Sequence, residues 1–127
     1  MNKVSDKEFE IYKKAVEHWL SFFGLLDWCP DFQQIDLLKD DTMARVLITF
    51  QSRCATFLLT TKYKTEMPKR IKRDFRRYAF HEVCELLLIT IVTWAEHSKA
   101  EDMVVEETHR IIRLLENSVF NTLDREE

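Results

Sequence analysis

The chain holds one glycine, Gly24, and two prolines, Pro30 and Pro68, among its 127 residues. Turns that need a positive φ are therefore scarce, because glycine alone enters that region freely, and proline breaks are confined to two places. Such a chain must be built from a few long, regular elements, helices above all. Hydrophobic residues at 46% and charged residues at 32% supply a core and exclude the disordered class, which lacks apolar side chains to bury. The length suits one domain, residues 1–127, and is short for two.

Ser5 and Asp6 can cap a first helix, in which Phe9, Tyr12, Val16, Trp19, Leu20 and Phe23 recur at helical spacing until Gly24 ends it. Leu25 through Ile35 sets Trp28 and Phe32 among polar residues around Pro30, which predicts a short or irregular edge strand. Two further strands follow, Ala44 to Phe50 and Cys54 to Thr61, rich in β-branched and apolar residues and separated by the polar break Gln51 to Arg53. From Pro68, suited to the first turn of a helix, to about His97 nothing interrupts the helical pattern. A loop around Ser98 to Asp102 leads to a last helix, about Met103 to Leu123, with Val104, Thr108, Ile111, Ile112, Leu115 and Val119 on one face. The expected fold is α+β: an N-terminal helix, a small antiparallel sheet of two or three strands, a long central helix and a C-terminal helix.

The central helix carries the chemistry. Ile71, Phe75 and Tyr78 begin an apolar stripe that steps of three and four extend through Glu82, Glu85, Ile89 and Val92. The other flank holds Phe80, Val83, Leu87, Ile91 and Trp94, so the middle of the helix is apolar nearly all round and belongs in the core. Polar groups there need a partner, since a buried carboxylate is costly unless it is protonated, paired with a cation or bound to a metal. His81 and Glu85, four apart, project to the same side and can share one ion. Glu82 points to the adjoining position, where water on that ion would sit.

That is the layout of the His-Glu-x-x-His helix of zinc peptidases, with Glu85 in place of the second histidine. The last helix offers Glu106, Glu107 and His109 as a third ligand, and Glu107 and His109 border the stripe through Thr108 and Ile112. With a glutamate as that third ligand, one imidazole and two carboxylates make a hard, anionic donor set, so manganese or magnesium suits it as well as zinc. Bound water would be acidified less, and weak or absent hydrolysis is expected. The same residues also admit a self-contained arrangement, with His81 bonded to Glu85 one turn on and Glu82 paired to Arg53 or Arg113.

Through HWLSFFGLLDW, the strands RVLITF and ATFLLT, the central AFHEVCELLL and the closing EETHRIIRLLEN, the chain resembles the small zincin-like metallopeptidases of tailed phages, with an SprT-like and ImmA-like layout. By that resemblance His81 is the first metal ligand, Glu82 the general base, Glu85 stands at the second ligand's place and Glu107 is the third. The implied protein is a phage or prophage zincin-like protein, a weak metal-dependent hydrolase of peptide-type bonds or a degenerate relative, acting on a peptide substrate or protein partner. It would work in the cytoplasm of the infected or lysogenic host cell.

A different class of function rests on Lys69, Arg70, Lys72, Arg73, Arg76 and Arg77, a basic run at the helix start. It suits nucleic-acid phosphates or an acidic protein in a non-enzymatic binding role, or else forms a solvated face. The net charge of −3 supplies no global attraction to nucleic acid. Cys29, Cys54 and Cys84 lack metal-type spacing and read as reduced thiols, Cys84 being turned away from Glu85 as a buried, inert one. His18 and His97 fall near helix ends, as surface or capping residues, while Trp19, Trp28 and Trp94 read as core anchors. No window approaches a membrane span, and the polar first residues do not follow the plan of a secretory signal.

Overall fold

The computed structural model describes residues 2–63, 71–89, 92–93 and 101–124. Helix α1 spans Asp6–Phe22. Its first turn is closed by a capping box, in which the Ser5 amide donates to Glu8 Oε1 at 2.9 Å and the Glu8 amide to Ser5 Oγ at 3.1 Å, satisfying two amides that the helix itself leaves without acceptors. Its inner face, Tyr12, Ala15, Val16, Trp19 and Leu20, is buried. Gly24, at φ 71°, ends it: the Gly24 amide returns to the Ser21 carbonyl and the Leu25 amide to that of Leu20, at 3.1 and 2.8 Å, the paired bonds of a Schellman cap.

Strands β2 (Cys29–Ile35), β3 (Ala44–Thr49) and β4 (Cys54–Thr60) form one sheet in the order β2-β4-β3. β3 and β4 are the expected antiparallel hairpin, with Val46 opposite Phe57. β2 departs from expectation. It is a regular seven-residue strand parallel to β4, with Phe32 opposite Phe57, so the sheet is mixed. Pro30 is accommodated because β2 is an edge, where an absent amide costs no ladder bond on the solvent side. The chain crosses from β2 to β3 over the end of β4 through buried Leu37 and a 3-10 turn, Leu38–Asp40. Buried Thr60 ties that crossing: its hydroxyl accepts from the Leu37 amide at 3.3 Å, and its amide donates to the Met43 carbonyl at 2.9 Å. A second, two-stranded pairing that sequence reading missed joins β1 (Asn2–Lys3) to β5 (Lys62–Tyr63).

Helix α2 spans Ile71–Leu87, and helical bonding continues beyond it, from the Val92 amide to the Leu88 carbonyl at 3.2 Å. The expected start at Pro68 and the continuation over Trp94 to His97 lie outside the described residues. Helix α3 spans Glu101–Leu115 and runs into a π-helical turn, Glu116–Phe120, and a last helical turn, Asn121–Leu123. The core lies between the helices and one sheet face, where Ala55, Phe57 and Leu59 of β4 are buried. At its centre Trp19, Phe80 and Phe120 meet, with ring centroids 4.7 Å apart for Trp19 and Phe80 and 5.5 Å for Phe80 and Phe120. The class is α+β, as the sequence indicates.

Candidate metal centre

The middle of α2 is enclosed as its all-round apolar pattern requires: Phe75, Ala79, Phe80, Val83, Cys84 and Leu86 are buried. Glu82 is buried with them, at 6% exposure. His81 and Glu85 sit at the rim, their side chains 35% and 33% exposed. One donor atom from each of the three lies within 4.8 Å of the others, so the helix does gather the expected trio.

Glu82 faces the outer edge of the sheet. Burial, then the charge of Glu85 and a hydrogen bond with it, push the Glu82 carboxyl well above the usual carboxylate range, while a hydrogen bond from the Val46 backbone and the charge of Arg45 act against this. Its partners are therefore β3 and Glu85. Arg53 is instead engaged with Asp27 at 3.9 Å and stacked on Trp28 and Phe50, and Arg113 is exposed. From α1 the buried Tyr12 phenol donates to the Leu58 carbonyl at 3.2 Å. Its own ionisation is raised well above the ordinary phenol value by burial and then by the charges of Glu82 and Glu85.

The last helix supplies two groups. His109 Nε2 is 3.7 Å from Glu85 Oε1, and Glu116 Oε2 is 3.6 Å from His81 Nδ1. His81 Nε2 lies 3.9 Å from the same Glu85 oxygen. The Glu116 carboxylate, and after it Glu85, raises the His81 pKa above the ordinary imidazole value against the opposing effect of burial. Glu107 stands apart, exposed and paired with Arg110 at 2.8 Å, and Glu106 is exposed too. Glu107 is thus the one residue of the expected site that the fold does not bring to the cluster, because it lies on the solvent flank of α3.

Sequence reading passed over Glu116 and Tyr12. For Glu116 the signal was present: Thr108 and Ile112 are buried, and a further step of four along that row arrives at an acid. Tyr12 gave no such signal, since a tyrosine in an apolar stripe reads as core, and it is core.

Cys84 is buried, and burial, then Glu116 and Glu85, hold its thiol pKa up at about 12, which leaves it protonated and unreactive. Of the basic run, Lys69 and Arg70 lie outside the described residues, as do the side chains of Lys72 and Arg73. Arg76 is turned inward onto Asp124, and Arg77 is exposed. His18 is exposed, and Trp19 and Trp28 are buried. Among the described residues no helix is long and apolar enough to cross a membrane.

No protein-family model matches the chain, and neither does any curated protein or solved structure.

Proposed function

We propose that the chain is a zincin-like, metal-dependent hydrolase of peptide-type bonds, weak in activity and cytoplasmic, with its cation held by His81, Glu85 and His109. The observation that carries this reading is the placement of Glu85 Oε1 between the Nε2 atoms of His81 and His109, with the Glu82 carboxyl within 4.8 Å of the His81 and Glu85 donors. The donor chemistry fits. Glu85 Oε1 lies between two imidazole Nε2 atoms at 3.7 and 3.9 Å, and zinc bonds of ~2.0–2.1 Å place tetrahedral donors ~3.4 Å apart, so each of these two separations must shorten by about half an ångström and the His109 imidazole, which lies outside the mutually close group, must swing toward His81. Two imidazoles and one carboxylate are a softer set than the one Glu107 would complete, and they favour zinc over manganese or magnesium.

The cation would supply Lewis acidity toward a water or carbonyl oxygen. The remaining work falls to side chains. Glu116 at His81 Nδ1 fixes the imidazole so that Nε2 faces Glu85, the carboxylate-to-imidazole arrangement that orients metal-binding histidines. Glu82, with its proton affinity raised, takes a proton from water and returns it to the departing amine. Its burial against β3 limits how far the carboxylate can swing, in keeping with weak turnover.

Zinc content and zinc-induced stabilisation test the reading. Protein purified without chelator or affinity-tag metal should hold zinc stoichiometrically, and zinc at a hundredfold excess over its Kd should raise the Tm by about 10 °C for a chain of this size. His109→Ala should weaken zinc binding at least about tenfold, while Glu107→Ala leaves it unchanged. Glu82→Gln should keep zinc but lose hydrolysis of a labelled casein. If zinc, manganese and magnesium all leave the Tm where it was, the proposal fails, and the cluster is an imidazolium held by Glu85 and Glu116.

A further inference from the structure

The parallel pairing of β2 with β4 brings together two cysteines that lie far apart in the chain. Cys29 and Cys54 are the first residues of their strands and direct partners in the register. Side chains of register partners stand on the same face of a sheet, and both cysteines are exposed. Neighbouring strands run ~4.8 Å apart, within the ~4.4–6.8 Å separation of Cα atoms that a disulfide bridges.

Local contacts hold the two strand starts together. The Cys29 amide donates to the Arg53 carbonyl at 2.7 Å. Arg53, at φ 55°, places its guanidinium 5.3 Å from the Trp28 ring and 4.7 Å from that of Phe50. The residue before Cys29 and the residue before Cys54 are thereby clamped to each other, and one neighbour on the other side, Thr49, completes the row opposite Cys54. Cys54 Sγ is near the Ser52 carbonyl at 3.6 Å, a weak contact that does not restrain the thiol.

We propose that Cys29 and Cys54 form a redox-active dithiol, oxidised to an intramolecular disulfide by exchange with a low-molecular-weight disulfide. One thiolate attacks a sulfur of the small disulfide and expels one small thiol, leaving a mixed disulfide on the protein. The second cysteine, as thiolate, then attacks the protein sulfur and expels the other small thiol. Two protein thiols lose two electrons in all, and one small disulfide becomes two thiols. The bond encloses the whole of β3 in the loop from Cys29 to Cys54 and fastens β2 to the sheet's central strand. In a reducing compartment it would form only transiently, as a modification that follows oxidising conditions.

The test uses the full chain, reduced and then exposed to glutathione disulfide, quenched in acid, unfolded and alkylated. Both exposed thiols should be lost together, with peptide mapping showing a Cys29–Cys54 link and Cys84 alkylated as the internal control. The oxidised protein should melt about 5 to 15 °C higher than the reduced one, and a reductant should reverse the shift. Cys29→Ser and Cys54→Ser variants should each stop at a single glutathione adduct on the remaining exposed cysteine, with no rise in Tm of that size. Wild-type protein that accumulates one or two adducts without closing, links Cys84, or cross-links between molecules would overturn the proposal.

Discussion

The ion pair between Arg76 and Asp124 joins the first half of α2 to the end of the last helical turn, and the chain's stability should depend on it strongly. The pair is bidentate, with Nε to Oδ1 at 2.7 Å and a second guanidinium nitrogen to Oδ2 at 3.2 Å. Its side chains are only 15% and 6% exposed. Replacing Arg76 by methionine keeps most of the apolar stem and takes both guanidinium bonds from a carboxylate that water barely reaches, which costs about 3–5 kcal/mol. An unfolding entropy of ~2.1 cal/mol/K per residue comes to about 0.27 kcal/mol/K for this chain, so a loss of about 3 kcal/mol lowers the Tm by about 11 °C. Urea unfolding followed by tryptophan fluorescence would read the loss directly. Trp19 is buried beside Phe120, itself four residues before Asp124. The double variant Arg76→Met, Asp124→Leu removes both charges and should return to within about 1 kcal/mol of wild type, because an apolar pair of similar volume replaces a desolvated ionic one without penalty. Strong non-additivity is therefore the signature. High salt should change the single variant's deficit little, as a buried pair is poorly screened. A single-variant loss under about 1 kcal/mol, the range of surface pairs, or a double variant as unstable as the sum of its parts, would refute the reasoning.

Two further outcomes follow from the same packing. Phe120 is fully buried against Phe80 and Trp19, so Phe120→Ala should cost about 3–5 kcal/mol in urea unfolding and alter the Trp19 emission. A cost below about 1 kcal/mol would mean that the π-helical turn simply collapses into the space. In chelator-treated protein the His81 pKa is raised by Glu116 and Glu85, so protonation favours the folded state. That stabilisation is complete below the unfolded imidazole pKa of ~6.5 and is lost as pH climbs through the higher folded value. Stability should fall with pH over that interval in wild type and fall less in His81→Gln, with a proton NMR titration of the His81 ring placing its midpoint above that of a free histidine. A midpoint below it would contradict the role given to Glu116.

What the sequence made legible was local. The Ser5 cap and the Gly24 stop act through atoms within a few residues, and α1 begins and ends where they say. The β3–β4 hairpin was equally readable, since the break at Gln51 to Arg53 lies between two β-rich runs. The place of β2 was not. Its parallel register on β4 depends on a crossing tied by Thr60, Leu37 and Met43, none of which advertises a partner in sequence. β1 and β5, two residues each, are too short to show any alternation.

The site divides along the same line. Two carboxylates and a histidine on an apolar helix announce that something polar is enclosed, whatever the topology. The identity of the group facing them across the interface is a question of phase. Thr108 and Ile112 set the inner face of α3, and Glu107 and His109 stand on either side of Thr108, each about 100° from it. Sequence periodicity treats these two flanks alike. The direction in which α3 crosses α2 separates them, turning His109 toward Glu85 and leaving Glu107 to Arg110 in solvent. One degree of freedom in helix packing thus decides whether a carboxylate or an imidazole faces Glu85 and, if the cluster holds a cation as proposed, whether a hard or a borderline-soft one would fit better.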